Sequence, residues 1–131
     1  MTGLLIVSHS ARVAEGAREM ASAMAGDGVV ILSAGGSSDG RLGTDFGAIS
    51  EALARLTEGG REAVVVMDLG SAVMTVRAAL DEMGEAAGRV FLADAPIVEG
   101  AVVAAVEASI GSGGAEGMKA AEGARSMQKL A

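Results

Sequence analysis

Four short apolar runs, separated by longer segments of mixed polarity, constrain the fold of this chain more than any other feature. The runs are Leu4–Val7, Val29–Leu32, Ala63–Met67 and Val90–Ala93. Uninterrupted hydrophobicity is typical of parallel strands that helices cover on both faces, whereas a half-exposed strand alternates between apolar and polar residues. The runs therefore predict four buried strands of a parallel sheet.

The segments between the runs have the spacing of amphipathic helices. The first helix is predicted to begin near Ala11, and the fourth is expected from Glu99 to about Ile110. The residues expected to face inward from the first three helices are Val13, Ala17, Met20, Ala21 and Met24, then Phe46, Ile49, Leu53 and Leu56, then Val73, Val76, Leu80 and Met83. Alternating strands and helices predict an α/β fold: a doubly wound, mainly parallel four-stranded sheet with helices on both faces.

A Gly-Ser-Gly-Gly break at residues 111–114 divides the chain. A length of 131 residues suits one domain, so the break predicts a domain over residues 1–112 and a Gly/Ala-rich tail over residues 113–131. The tail has weakly helical spacing. A marginal terminal helix, a helix that docks on a partner and partial disorder are all compatible with it.

Composition excludes several classes of partner and site. Ten Lys and Arg against 17 Asp and Glu give a net charge of −7, which disfavours a nucleic-acid partner. No run approaches the ~20 residues that span a bilayer, and the first lacks the basic flank of a signal peptide, so a cytoplasmic protein without a membrane partner is expected. Cys is absent and His occurs once, which excludes thiol nucleophiles and Cys-ligated zinc. We expect neither a metal nor a cofactor, because the common nucleotide-binding motifs are also missing.

Polar residues follow each predicted strand, and open α/β sheets place their sites at these ends. In chain order the ends read Ser8-His9-Ser10, the glycine-rich segment 35–45, Asp68-Leu69-Gly70-Ser71 and Asp94-Ala95-Pro96. If Asp68 binds one ring nitrogen of His9, the other nitrogen is an unprotonated nucleophile. Two simpler interpretations stay open: His9 packs against a backbone carbonyl, and Asp68 caps a helix.

Four strings at or near these strand ends carry a family resemblance. They are Leu5-Ile6-Val7-Ser8-His9-Ser10, Gly43-Thr44-Asp45, Met67-Asp68-Leu69-Gly70-Ser71-Ala72 and Ala95-Pro96-Ile97-Val98-Glu99-Gly100. Together they resemble the phosphocarrier subunit of the phosphoenolpyruvate-dependent dihydroxyacetone kinase, whose fold is that of the mannose-type enzyme IIA of the bacterial phosphotransferase system. The likeness runs from residue 1 to about residue 110.

The resemblance implies a phosphohistidine relay. His9 would take a phosphoryl group from the phosphocarrier protein HPr and pass it to ADP bound in the nucleotide subunit of dihydroxyacetone kinase. Asp68 would orient His9. The residues that would contact the phosphoryl group are Ser71, Gly70, Ser10 and Thr44. A homodimer is also implied.

Two other functions fit parts of the pattern. Class II tetrapyrrole chelatases also begin with a strand that leads into a histidine and a small residue, as in His9-Ser10, although one His and two Phe offer few metal ligands and little macrocycle cavity. A non-catalytic regulatory module would sense phosphorylation of His9 without passing it on. The sequence does not separate a relay from a sensor.

Overall fold

A four-stranded parallel sheet forms the centre of the computed structural model, which describes residues 1–130. The strands are β1 (Gly3–Ser8), β2 (Ile31–Gly35), β3 (Ala63–Met67) and β4 (Val90–Leu92). They lie in the order β2-β1-β3-β4, and every neighbouring pair is parallel. The second strand begins at Ile31, two residues later than the sequence predicts, although the carbonyl of Val30 already accepts a hydrogen bond from Leu4 N–H.

Helices cover both faces of the sheet, which confirms the predicted fold class. They are α1 (Ala11–Ala25), α2 (Phe46–Thr57), α3 (Gly70–Asp81), α4 (Ile97–Ser109) and α5 (Gly114–Gly123), with short 3₁₀ turns at Glu58–Gly60, Gly84–Arg89 and Ala124–Ser126. One core cluster joins α1, α4 and α5 to the sheet, and a second joins α2 and α3 to its other face. Among residues 1–130, none of the helices combines the length and apolar character that a bilayer crossing needs.

Successive residues of β1 supply the two clusters in turn. Leu4 and Ile6 pack on the α1 side, and Leu5 and Val7 pack on the α2 side, as the alternation of side chains along a strand requires. All six residues of β1 are buried. Burial on both faces explains why the strand is apolar at nearly every position.

The buried face of α1 agrees with the predicted one at Ala17 and Ala21 and differs from it elsewhere. Its buried residues are Ala14, Ala17 and Ala21, whereas Val13, Met20 and Met24 are exposed. The helix packs against α4, whose buried positions are glycine and alanine. Small side chains on both helices let the two backbones approach closely, so the larger apolar residues of α1 lie on the solvent side.

The last helix, α5, packs beside α4 over the β3–β4 side of the sheet. Its first N–H, on Gly114, donates to the Glu62 carboxylate at 2.8 Å, and Ala121 is fully buried. Beyond the helix, Arg125 forms an ion pair with Asp94 at 2.9 Å. The domain boundary after residue 112 stays a prediction.

The strand order creates a switch point between β1 and β3. From β1 the chain passes through α1 on one face to β2, and from β3 it passes through α3 on the other face to β4. In open α/β sheets the crevice outside the carboxyl ends at such a point is the usual binding site. Residues that follow β1 and β3 therefore occupy the most favourable place in this fold for chemistry.

Candidate functional site

His9 and Asp68 lie side by side at the switch point. Val7 is paired with Met67 in the parallel ladder, so the residues that follow the two strands leave the sheet next to each other. Nδ1 of His9 lies 2.9 Å from Oδ1 of Asp68, and the two side chains are 23% and 18% exposed. The predicted pair is thus brought together, and the ring still reaches solvent.

The Asp68 carboxylate takes part in four hydrogen bonds, two at each oxygen. Oδ1 accepts from Leu69 N–H at 2.7 Å and binds His9 Nδ1 at 2.9 Å. Oδ2 accepts from His9 N–H at 2.9 Å and from the Ser8 hydroxyl at 2.8 Å. The side chain therefore binds its own loop and the end of β1. It does not cap α3, whose N-cap residue is Leu69 and makes no side-chain capping bond.

Burial and hydrogen bonding act on Asp68 in opposite directions. Burial raises the pKa of its carboxyl, but hydrogen bonds from the His9 backbone, the His9 ring, the Ser8 hydroxyl and Leu69 N–H outweigh burial, so the pKa lies below its ordinary value. An ionised carboxylate can only accept hydrogen bonds. The hydrogen shared with His9 is therefore on Nδ1, and in the neutral ring Nε2 keeps its lone pair.

Ser71 faces that lone pair. Its Oγ lies 2.6 Å from Nε2 of His9, and because Nε2 can only accept, the hydroxyl donates. Gly70 and Ser71 are the first two residues of α3. The first N–H groups of a helix have no intrahelical acceptor and favour a negative charge. Nε2 thus faces a helix end suited to an anion.

The hydroxyl groups of Ser10 and Thr44 bind partners other than the His9 ring. Ser10 is the N-cap of α1, and its hydroxyl accepts from Val13 N–H at 3.3 Å. The Thr44 hydroxyl lies 2.8 Å from that of Thr75, which also donates to the Ser71 carbonyl at 3.3 Å. Ser10 therefore organises the start of α1, and Thr44 ties the loop before α2 to α3.

Glycine is required where the end of β2 passes the start of α1. A Cβ built on Gly35 would lie 2.5 Å from the carbonyl oxygen of Ser10 and 2.8 Å from Cα of Ala11. Gly36, at φ 79°, donates to the Ser8 carbonyl at 3.2 Å. These contacts keep the start of α1 close to the site.

Ser8 and Thr75 also contact the candidate site, and the sequence alone assigns neither of them a specific role. Ser8 is fully buried at the end of β1. A hydroxyl at the end of an otherwise apolar strand was the available signal, because a buried hydroxyl needs a partner. Thr75 lies inside a helix and carried no comparable signal. Within residues 1–130 there is no cluster of three or more His, Cys, Asp or Glu side chains that could hold a metal.

The chain is thus an α/β protein with a parallel doubly wound sheet, in which one histidine at the switch point is bound by a carboxylate and faces a helix N-terminus. Within that class, the chain belongs to the mannose-type enzyme IIA family. The model of this family, described as the PTS system fructose IIA component, matches residues 3–116.

Two phosphoryl donor subunits are similar to this chain. A phosphoryl donor subunit DhaM of PEP-dependent dihydroxyacetone kinase 2, from Listeria innocua, is 39% identical over 111 residues, covering 84% of this chain and 88% of that protein. The phosphoryl donor subunit DhaM from Klebsiella michiganensis is 40% identical over 117 residues, covering 86% of this chain and 25% of that protein. The chain thus spans most of the Listeria protein and about a quarter of the Klebsiella protein.

A solved structure has the same fold. The crystal structure of a protein of unknown function, EF1359, matches with a TM-score of 0.87 and 33% sequence identity, over 99% of this chain and 98% of that one. The match supports the α/β fold class along nearly the whole chain, α5 included. The chelatase and sensor alternatives receive no support from any of these relatives.

Proposed function

We propose that this protein is a phosphoryl relay in which Nε2 of His9 accepts a phosphoryl group and passes it on. The observation that carries the proposal is the asymmetry of the ring: Nδ1 is bound to Asp68 and Nε2 faces the start of α3. This arrangement supplies a nucleophilic lone pair on Nε2, a negatively charged carboxylate at Nδ1, and the anion-binding N–H groups at the start of α3 beside Nε2. In outline the protein is the phosphoryl donor subunit of a kinase.

Acceptance of the phosphoryl group is a displacement at phosphorus. The Nε2 lone pair forms a bond to phosphorus while the bond between phosphorus and the donor histidine breaks, and its electron pair returns to the donor ring. Positive charge grows on the His9 ring as the bond forms. The ionised Asp68, 2.9 Å from Nδ1, stabilises that charge. Together with positioning, electrostatic stabilisation of this kind is the main contribution that a protein makes to phosphoryl transfer.

The start of α3 is suited to hold the bound group. A phosphoryl group carries roughly two negative charges, and we assign its oxygens to the first N–H groups of α3, at Gly70 and Ser71. The Ser71 hydroxyl, which donates to Nε2 in the free protein, turns to a phosphoryl oxygen once Nε2 is occupied. Ser10 and Thr44 then contribute by fixing the two loops beside the ring.

Exposed apolar side chains beside the site favour protein partners. Leu42 is next to Gly43, whose N–H binds the His9 carbonyl, and Leu69 adjoins Asp68. Met74 lies one turn beyond Ser71 on α3, and all three apolar side chains are at least 62% exposed. We assign HPr as the donor and the ADP-binding subunit of dihydroxyacetone kinase as the acceptor.

The proposal also covers the full reaction and the setting. With its partners the protein would act as the carrier of a phosphoenolpyruvate–glycerone phosphotransferase, so that dihydroxyacetone is phosphorylated at the expense of phosphoenolpyruvate. The homodimer implied by the family resemblance is part of the proposal. So is a cytoplasmic location, which a composition without cysteine favours.

A chase experiment separates the relay from the sensor. The protein is labelled with radioactive phosphoenolpyruvate and the general phosphotransferase proteins, purified, and mixed with ADP and the kinase's nucleotide subunit. A relay loses its label to ADP within the turnover time of the kinase. Label that stays on this protein would indicate a sensor, and a protein that takes up no label would refute both.

A further inference from the structure

The Ser8 hydroxyl is completely buried, and no step of the proposed transfer uses it. It lies at the end of β1, where it donates to Oδ2 of Asp68 at 2.8 Å and accepts from Ser10 N–H at 3.0 Å. Of the four hydrogen bonds to the Asp68 carboxylate, this is the one made by a hydroxyl. The contact joins the start of α1 to the group that holds the His9 ring.

The direction of both bonds is fixed by their partners. A backbone N–H can only donate, so the bond from Ser10 occupies a lone pair of the Ser8 oxygen. The ionised Asp68 can only accept, so the single hydroxyl hydrogen of Ser8 points at Oδ2. Ser8 has no freedom to serve as a donor elsewhere.

The carboxylate needs such a contact because its own torsion sets no orientation. The final side-chain torsion of Asp is broad and roughly two-fold, so hydrogen bonds decide which way the two oxygens point. Oδ2 is held by the Ser8 hydroxyl and by His9 N–H. Removing the hydroxyl leaves Oδ2 with His9 N–H as its single donor, so the carboxylate is held in place by fewer bonds and turns more freely relative to Nδ1, although Leu69 N–H still binds Oδ1.

We propose that Ser8 is a positioning residue for phosphoryl transfer: it fixes the rotation of the Asp68 carboxylate, keeps the hydrogen of His9 on Nδ1 and so keeps the lone pair of Nε2 available. The inference rests on the proposed function, since the lone pair matters only if Nε2 accepts the group. Ser8 acts through Asp68 and does not touch the ring nitrogens.

The single histidine of the chain makes the inference directly measurable. Nitrogen NMR of the ¹⁵N-labelled ring reports which nitrogen carries the hydrogen, with no overlap from other histidines and no need for phosphorylation. In the wild type we expect the Nδ1–H form alone in the neutral ring. In Ser8→Ala we expect both forms, and a rate of phosphoryl uptake lower by about tenfold, as for loss of one bond to a charged group.

Two further variants separate positioning from general stability. Thr57→Val also removes a buried hydroxyl, but one that bonds to the Leu53 carbonyl within its own helix, and we expect it to keep the wild-type NMR pattern and uptake rate. Ser8→Thr keeps the hydroxyl and should retain the Nδ1–H form. A folded Ser8→Ala protein with only the Nδ1–H form and the wild-type rate would overturn the inference.

The wild-type protein offers an independent measurement should Ser8→Ala fail to fold. A Ser8 hydroxyl bonded as described exchanges slowly with water and is visible in proton NMR, whereas exchange as fast as that of an exposed serine would contradict the role. A wild type that is not phosphorylated at all would refute the proposed function, yet the tautomer comparison would still decide whether Ser8 positions Asp68.

Discussion

Replacing Asp68 with Asn preserves the size of the side chain and removes half of its accepting capacity. In the wild type each carboxylate oxygen makes hydrogen bonds with two partners. The amide of Asn has one accepting oxygen and one donating NH₂ group instead. If the amide oxygen faces His9 N–H and Ser8, its NH₂ group opposes Leu69 N–H and also faces Nδ1, so that Nδ1 must accept and the ring hydrogen must lie on Nε2. If the amide is reversed, its NH₂ group opposes His9 N–H, donor against donor.

Both orientations have a cost that follows from the structure. Leaving one partly buried backbone N–H without an acceptor lowers the free energy of unfolding by about 1–3 kcal/mol. The rate of phosphoryl uptake falls further, because the variant loses the charge that stabilises the His9 ring and populates the form without a lone pair on Nε2. We expect a loss on the order of 10²-fold, below the ~10⁴ found when the orienting acid of a Ser-His-Asp site is changed in this way, since phosphoryl transfer depends mainly on positioning and electrostatics.

The assay is single-turnover uptake from phosphorylated HPr, with the circular dichroism spectrum and melting temperature of each variant as controls for folding. Asp27→Asn is a matched control, because Asp27 is an exposed acid in the turn that follows α1. It should transfer at the wild-type rate. A folded Asp68→Asn protein with wild-type uptake would refute the assignment of Asp68 as the orienting group.

Three other outcomes follow from the same contacts. The depressed pKa of Asp68 adds stability that is complete above the unfolded-state pKa of about 3.9 and is lost as the pH falls through the lower folded-state value. The difference in unfolding free energy between wild type and Asp68→Asn, measured by urea denaturation, should therefore shrink below pH ~4. A difference that does not change with pH would contradict the shift. Gly35→Ala should lower the free energy of unfolding by about 1–3 kcal/mol and slow phosphoryl uptake, because the added Cβ would lie 2.5 Å from the backbone of Ser10. Gly16→Ala adds its Cβ in open space on α1 and should raise the free energy of unfolding by roughly 0.5–1 kcal/mol. Equal effects of the two substitutions would contradict the crowding at Gly35. Transfer rates should fall as salt rises, and Ser71→Ala should slow transfer at every salt concentration; rates insensitive to both changes would mean that an anion is not held at the start of α3.

Much of the site follows from the sequence because parallel strands end at the same edge. His9, Asp68 and Ser71 each come within a few residues of an apolar run, and the ladder between β1 and β3 brings them together. The identity of the free ring nitrogen was not predictable. It depends on which way the ring and the carboxylate turn, and hence on the Ser8 and Leu69 bonds to Asp68.

The buried face of α1 shows a different limit of sequence reasoning. Hydrophobic periodicity favours Val13, Met20 and Met24 as core residues, yet all three are exposed. What decides the outcome is the partner helix: α4 buries only glycine and alanine, and a close helix pair leaves no room for larger side chains.

The central claim, that His9 carries the phosphoryl group on Nε2, is tested most directly by locating the modification. The protein is incubated with phosphoenolpyruvate and the general phosphotransferase proteins, and its phosphohistidine is identified by phosphorus and nitrogen NMR. We expect one acid-labile, base-stable phosphoryl group on Nε2 of the wild type and none on a folded His9→Ala protein. A group on Nδ1, or an acid-labile, base-stable group that persists in His9→Ala, would contradict the account.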